Sequence, residues 1–143
     1  MKKIIMSAII ATFGISALMA SDISLDNVRA RTTKPGSNNS AIFMDIKNKS
    51  NKDIKLLQAR SSVCANTEIH THKMENGMMS MMQIDNINIA KNSETKLAPG
   101  GLHIMLINLN RPLNDGDKVD VELEFDNGEK IKLDDVKVTP KFK

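Results

Sequence analysis

The chain has 143 residues, of which 41% are hydrophobic and 26% are charged, and its formal net charge is +3 at neutral pH. This length accommodates one domain with one core, and it is too short for two domains once a leader is removed. Because acidic and basic residues are interspersed and nearly balanced, the composition excludes an extended basic surface, so no nucleic-acid partner is expected. The single cysteine excludes an internal disulfide.

The first twenty residues have the pattern of a secretory signal peptide. Two lysines precede an apolar run over residues 4–20 that ends in small side chains, and this order is typical of a cleaved leader. The run is short for a membrane span, and Gly14 weakens it as a helix. We therefore predict a signal peptide over residues 1–20, cleavage near Ala20, and an exported domain over residues 21–143 that makes no stable insertion into the membrane.

Beyond the leader, short segments of alternating apolar and polar residues are separated by Gly, Pro, Asn and Asp, and no long amphipathic helix is evident. Eight β-strands are predicted from this pattern, over residues 23–32, 41–47, 54–60, 67–74, 78–84, 101–107, 118–125 and 130–138. Short strands with such turn residues favour an all-β fold, namely an antiparallel β-sandwich or barrel of the Greek-key type.

Two Asn-Gly pairs mark predicted hairpins. Asn-Gly is favoured in a two-residue type I′ turn because both central positions need positive φ. One such turn is predicted at Asn127-Gly128 and the other at Asn76-Gly77. A two-residue loop at the second site fixes the register of its strands. The predicted facing pairs are Glu75 with Met78, Met74 with Met79, and His72 with Met81.

The histidines and methionines are concentrated in two short segments. All three histidines and six of the seven methionines after the leader fall within residues 70–82 and 103–105. Side chains alternate across a strand, so one face of the hairpin around Asn76-Gly77 gathers five nitrogen or sulfur donors. These donors are His70, His72, Met74, Met79 and Met81.

The second segment reads Leu-His-Ile-Met-Leu over residues 102–106. Its three apolar residues alternate and need the core, which directs His103 and Met105 to the opposite face. A methionine that filled the core would be in phase with the leucines. Met105 is out of phase with them, which argues against a core role for this methionine.

Other soft side chains are interpreted differently. Met44, Met78 and Met82 are predicted to fill the core, because methionine is a flexible apolar side chain and alternation puts the last two opposite the histidine face. Cys64 is predicted to be a small buried residue at the end of a strand. The alternative interpretation makes it an additional soft ligand six residues before His70.

The donor types narrow the choice of metal. Imidazole combined with thioether selects copper, above all Cu(I), whereas zinc sites combine cysteine, histidine and carboxylate. A blue-copper electron carrier needs a cysteine thiolate beside two histidines and an axial methionine. Cys64 is the only cysteine, and it does not stand in the short Cys-to-His-to-Met loop that such proteins use, so this interpretation is a minor alternative. No acid–base constellation indicates catalysis, so we expect a protein that is not an enzyme.

Four of the donors form a pattern with long spacings. Ten residues separate His70 from Met81, twenty-one separate Met81 from His103, and one separates His103 from Met105. Glu-Ile-His begins this pattern, Glu-Asn-Gly-Met-Met-Ser-Met lies within it, and Leu-Ala-Pro-Gly-Gly-Leu-His-Ile-Met-Leu contains its end. In these segments the chain resembles the periplasmic copper chaperones of the PCu(A)C family. The resemblance implies a cupredoxin-like β-sandwich that binds one Cu(I) per chain through the four matching residues.

The resemblance also implies a partner. Members of the family hand copper to the CuA subunit of cytochrome c oxidase or to other copper chaperones that serve respiratory oxidases. We therefore expect a monomeric metallochaperone for cytochrome oxidase assembly. A periplasmic copper storage or detoxification buffer would use the same ligands without an oxidase partner, and a plain interaction domain would bind no copper.

The chain departs from the family pattern at two places. Many relatives carry methionine where this chain has His72, so His72 is a bystander, a supporting group or a substitute ligand. Together with Met74 and Met79 it is a candidate auxiliary ligand. Some relatives end in a His/Met-rich tail, whereas this sequence ends in Thr-Pro-Lys-Phe-Lys, and no second copper site is expected from this comparison.

Overall fold

The structure is a computed structural model that describes residues 21–140. Ten β-strands and no helix occur within this range, which confirms the predicted all-β class. The predicted signal peptide over residues 1–20 lies outside the described residues. No helix in residues 21–140 is long and apolar enough to cross a membrane.

Eight of the ten strands correspond to the predicted ones, and the two short strands β6 and β7 are absent from the prediction. In chain order the strands are β1 (Ile23–Arg31), β2 (Ser40–Asn48), β3 (Ile54–Arg60), β4 (Cys64–Glu75), β5 (Met78–Gln83), β6 (Ile87–Ile89), β7 (Ser93–Leu97), β8 (His103–Leu109), β9 (Lys118–Phe125) and β10 (Lys130–Thr139).

The strands hydrogen-bond in the order β5-β4-β8-β2-β1-β10-β9-β3-β6, and β7 pairs with β2. Neighbouring strands are antiparallel except β1 and β10, which run parallel. The sheet folds over on itself, so that β3 lies against β4 and β6 against β7. The result is a cupredoxin-like β-sandwich, in which β5, β4 and β8 form one end of the strand order.

Alternation along the strands builds the core. In β8, Ile104 and Leu106 are fully buried, and Met44 in β2 is fully buried as predicted. Burial of one such side chain stabilises the fold by about 1.5–3 kcal/mol. Because the leucine and isoleucine of β8 are anchored in this way, the strand holds His103 and Met105 in fixed positions on its other face.

The turn at Asn76-Gly77 has the predicted geometry. Asn76 has φ of 52° and Gly77 has φ of 79°, as a type I′ turn requires. The register of β4 and β5 follows from it, with Glu75 opposite Met78 and Met74 opposite Met79. The predicted pairing of this hairpin is confirmed.

The turn at Asn127-Gly128 differs from the prediction. Only Gly128 has positive φ, at 90°, and its N–H donates to the Phe125 carbonyl at 3.1 Å. This is a turn with a single left-handed glycine and a bulge, not a type I′ turn. The Asn127 side chain accepts a hydrogen bond from the Glu129 N–H at 3.0 Å, and such a local bond favours a turn in which asparagine keeps negative φ.

Candidate metal site

Strands β4, β5 and β8 bring the two donor segments together. His70 lies opposite His103 across the β4–β8 pair. His72 lies opposite Met81 across the β4–β5 pair. Because directly opposed side chains share one face of a sheet, these residues and Met105 lie on the same face, as predicted from the two separate alternation patterns.

His103 begins β8 and is only 2% exposed. Its Nδ1–H donates to the Gly101 carbonyl at 3.0 Å. A carbonyl can only accept, so this bond fixes the tautomer and leaves the lone pair on Nε2. Burial lowers the pKa of His103 below its ordinary value, and the nearby His70 and His72 rings act in the same direction. The hydrogen bond to Gly101 acts in the opposite direction but is outweighed, so the lowered pKa favours the neutral ring, which is the form that binds metals.

One turn orients two of the three imidazoles. The Gly101 N–H donates to the Ala98 carbonyl at 3.0 Å, and Gly100 has φ of 88°, which together define a type II turn. The Gly101 carbonyl accepts from His103 and also lies 3.3 Å from His72 Nδ1. The ring centroids of His72 and His103 are 5.3 Å apart.

His70 is held by a different partner. Its Nε2–H donates to Glu68 Oε1 at 2.8 Å, which leaves the lone pair on Nδ1. That Nδ1 atom is buried and has no hydrogen-bond partner among the described residues. The His70 ring centroid lies 5.6 Å from that of His103. A buried nitrogen without a partner costs about 1–3 kcal/mol, so His70 offers a lone pair that a metal ion would satisfy.

A cavity of about 330 Å³ opens beside these rings. Four of the donors line it: His72, Met81, His103 and Met105. His70 does not line it, although it is the first residue of the predicted ligand set. Met81 is 49% exposed, so the donor set is reached from solvent on the β5 side.

No group of three or more histidine, cysteine, aspartate and glutamate side chains within residues 21–140 is arranged to hold a metal ion. Of the hairpin methionines on the histidine face, only Met81 reaches the cavity, while Met74 and Met79 lie farther toward the turn.

The prediction that Met78 and Met82 fill the core is wrong. They are 74% and 41% exposed. Strand β5 is the edge of the sheet, and none of its residues is buried. Alternation predicts which face a side chain occupies, but whether another layer covers that face depends on the distant parts of the chain.

Cys64 lies at the beginning of β4 and is partly buried. Its sulfur lies 3.4 Å from Thr67 Oγ1 and packs against the core. Six residues separate it from His70, which corresponds to about 20 Å along an extended strand. The interpretation of Cys64 as an additional ligand is wrong. Cys64 is a small structural side chain, but it begins a strand and is partly buried, whereas the sequence predicted a buried residue at the end of a strand.

The burial of His103 makes stability depend on pH. The unfolded chain protonates this histidine near pH 6.5, whereas the folded protein does so only at lower pH. The contribution of neutral His103 is complete above pH 6.5 and is lost as the pH falls through the folded pKa. We expect the free energy of unfolding of the metal-free protein, measured with urea, to fall between pH 7.5 and pH 5. The fall should be smaller in His103→Gln, and equal falls would contradict the assignment.

The fold is that of the PCuAC domains. The "Copper-bound PCuAC domain from PmoF2" superimposes with a TM-score of 0.70 at 18% identity, over 85% of this chain and 97% of that one. The "Apo PCuAC domain from PmoF1" gives 0.72 at 16% identity, over 86% and 98%. CuI-DR1885 from Deinococcus radiodurans gives 0.65 at 24% identity, over 88% and 84%. At these identities the likeness shows the shared fold.

The chain belongs to the LpqE-like family, described as "Putative lipoprotein LpqE-like", whose profile matches residues 23–138. "Putative lipoprotein Lxx21020" of Leifsonia xyli subsp. xyli (strain CTCB07) is 36% identical over 94 residues, which are 65% of this chain and 57% of that protein. "Uncharacterized protein RP573" of Rickettsia prowazekii (strain Madrid E) is 33% identical over 95 residues, 65% of this chain and 52% of that protein. The aligned region is thus little more than half of each relative.

Proposed function

We propose that this protein is a periplasmic Cu(I) metallochaperone that delivers copper to the CuA subunit of cytochrome c oxidase or to chaperones that assemble it. The observation that carries the proposal is the convergence of soft donors from β4, β5 and β8 beside one open cavity. Imidazole with thioether selects Cu(I). The solved neighbours support it, because their titles name a copper-bound domain and a CuI form of the same fold.

The proposed ligands are His70, Met81, His103 and Met105. His103 offers Nε2, because its Nδ1–H is engaged by Gly101. His70 offers the buried Nδ1 that has no partner among the described residues. Four neutral donors bind one monovalent ion without releasing a proton from a thiol, and thioethers cannot form a disulfide in an oxidising compartment.

Exchange of the ion uses the exposed side of the site. Met81 lies on the edge strand and is half-exposed, whereas His103 is buried. An acceptor ligand can therefore replace the Met81 thioether first, while the imidazoles still hold the ion. Each step breaks one metal–ligand bond as another forms, so delivery needs neither a catalytic acid nor a change in oxidation state.

Export supports the same proposal. A signal peptide over residues 1–20, followed by a single copper-binding domain over residues 21–143, would place the protein in the periplasm. The family description and the name of the Leifsonia relative both contain the word lipoprotein, which accords with an exported protein.

Two measurements test the function. Anaerobic titration of the protein against a chromophoric Cu(I) chelator should show a tight site that holds one ion. In a strain that lacks the gene, cytochrome c oxidase activity should fall and recover when excess copper is supplied. Normal oxidase activity in that strain would contradict delivery and would favour storage or detoxification, while absence of Cu(I) binding would leave a plain interaction domain.

Matched substitutions distinguish the roles of His70 and His72. His70→Gln removes a proposed ligand and should lower Cu(I) affinity by about 100-fold, whereas His72→Gln, which removes a neighbouring ring, should lower it by about tenfold or less. Glutamine keeps hydrogen-bonding capacity and similar size in both variants. The measurement is the same anaerobic competition titration. The reverse order would transfer the ligand role to His72, which lines the cavity.

A further inference from the structure

The β4–β5 hairpin carries two more thioethers on the histidine face, beyond the cavity. Met74 lies directly opposite Met79, next to the turn. We call these two residues the tip pair. Directly opposed residues have Cβ atoms about 4.5–5.5 Å apart, so two flexible methionine side chains at this spacing can place both sulfur atoms on one ion.

The tip pair continues the row of donors that begins at the cavity. The next facing pair inward is His72 with Met81. Two residues along a strand span about 6.5–7 Å, so long side chains of successive pairs can approach one another. The hairpin face therefore presents a series of soft donors that leads from solvent to the proposed copper ligands.

Packing does not explain the tip pair. Met74 is 62% exposed and Met79 is 56% exposed, so neither side chain fills the core. Strand β5 is an edge strand, and its sequence Met-Met-Ser-Met-Met-Gln contains no charged residue. Edge strands usually carry lysine or proline, which discourage association with other chains. Two exposed methionines that face each other bury little apolar area, so packing accounts for little of their presence, whereas both carry a soft thioether donor.

We propose that the tip pair is a second site for a soft monovalent cation, and that an ion bound there passes inward to Met81. It binds more weakly than the four-donor site, because it offers two thioethers and is open to water. Passage inward is ligand exchange, in which a bond to Met81 forms as one to Met74 or Met79 breaks, and the oxidation state is unchanged. Binding at the tip pair stands by itself, and only the inward passage rests on the proposed function.

Silver(I) is a suitable probe, because it is soft, monovalent and redox-stable. With methionine methyl groups labelled for NMR, the first equivalent of Ag(I) should shift the signals of Met81 and Met105. The second equivalent should shift those of the tip pair. Absence of the first shift would contradict the proposed function and leave the tip pair testable through its own signals. Absence of the second, with the first present, would overturn the tip-pair proposal alone.

The chain provides a matched control on the same hairpin. Met78 and Met82 are also exposed but lie on the opposite face. Met74→Leu combined with Met79→Leu should reduce the Ag(I) stoichiometry from two to one, while Met78→Leu combined with Met82→Leu should leave it at two. Equal losses in both double variants would show unselective thioether binding and overturn the proposal. If the variant with both tip-pair substitutions lost the first equivalent of Ag(I), the two sites would not be distinct and the proposal would be overturned.

Discussion

Replacing His103 or Met81 with alanine is expected to lower Cu(I) affinity by about 100-fold or more, since loss of a group that merely supports a ligand already costs about 10–100-fold. His103 is buried and oriented by a backbone carbonyl, so its Nε2 is held in a fixed position in the site. Met81 lies opposite His72 and lines the cavity. Anaerobic competition against a Cu(I) chelator measures the effect.

Met82→Ala is the control for Met81→Ala. The two methionines are adjacent in β5 and both are exposed, but they occupy opposite faces. Affinity should be retained in Met82→Ala. Wild-type affinity in both Met81→Ala and His103→Ala would refute the ligand assignment, because a site with four donors cannot lose one without consequence.

The second large effect is expected from substitutions in β8, where neighbouring residues have different roles. One contributes to folding stability and the next is a proposed metal ligand. Ile104 is fully buried, and truncation of such a side chain to alanine costs about 2–5 kcal/mol. Met105 is partly exposed beside the cavity, so Met105→Ala should cost about 1 kcal/mol or less. Urea unfolding of the metal-free variants, followed by circular dichroism, gives both values.

The effects of the two substitutions on Cu(I) affinity should have the opposite order to their effects on stability. Met105→Ala should lose Cu(I) affinity while its unfolding midpoint stays near that of the wild type. Ile104→Ala should retain tight binding at temperatures where it remains folded, because its side chain lies on the core face. A large loss of stability in Met105→Ala, with copper affinity retained, would place Met105 in the core and remove it from the ligand set.

The hairpin and its register could be predicted from sequence because two local rules agree. Asn76-Gly77 favours a two-residue turn, and the period of two along a strand then fixes which residues face each other. The same period in residues 102–106 separates core from donor positions. These rules need no knowledge of distant contacts, and the structure confirms the register of the hairpin and the burial of Ile104 and Leu106.

Strands β6 and β7 lack such signals. Strand β6 has three residues, too few to show a repeated alternation. Strand β7 reads Ser-Glu-Thr-Lys-Leu and buries only Leu97, so its extended form comes from pairing with β2. Propensity on its own does not predict a polar strand that is defined by its neighbour.

His70 and His72 could not be distinguished from the sequence. Both lie on the same face of β4, and sequence spacing alone gives them equal access to a shared ion. In the structure, the His70 ring contacts Glu68, two residues earlier in the same strand, whereas the His72 ring contacts the Gly101 carbonyl from a turn 29 residues farther along the chain. The contact of His72 is a tertiary one, which spacing along β4 does not reveal.

The Gly101 carbonyl contacts both His72 and His103. A small rotation of that peptide plane would change the orientation of both imidazoles, although the turn itself supplies no donor atom to the proposed ligand set. The turn at Pro99 and Gly100 therefore couples the orientations of two of the three imidazoles.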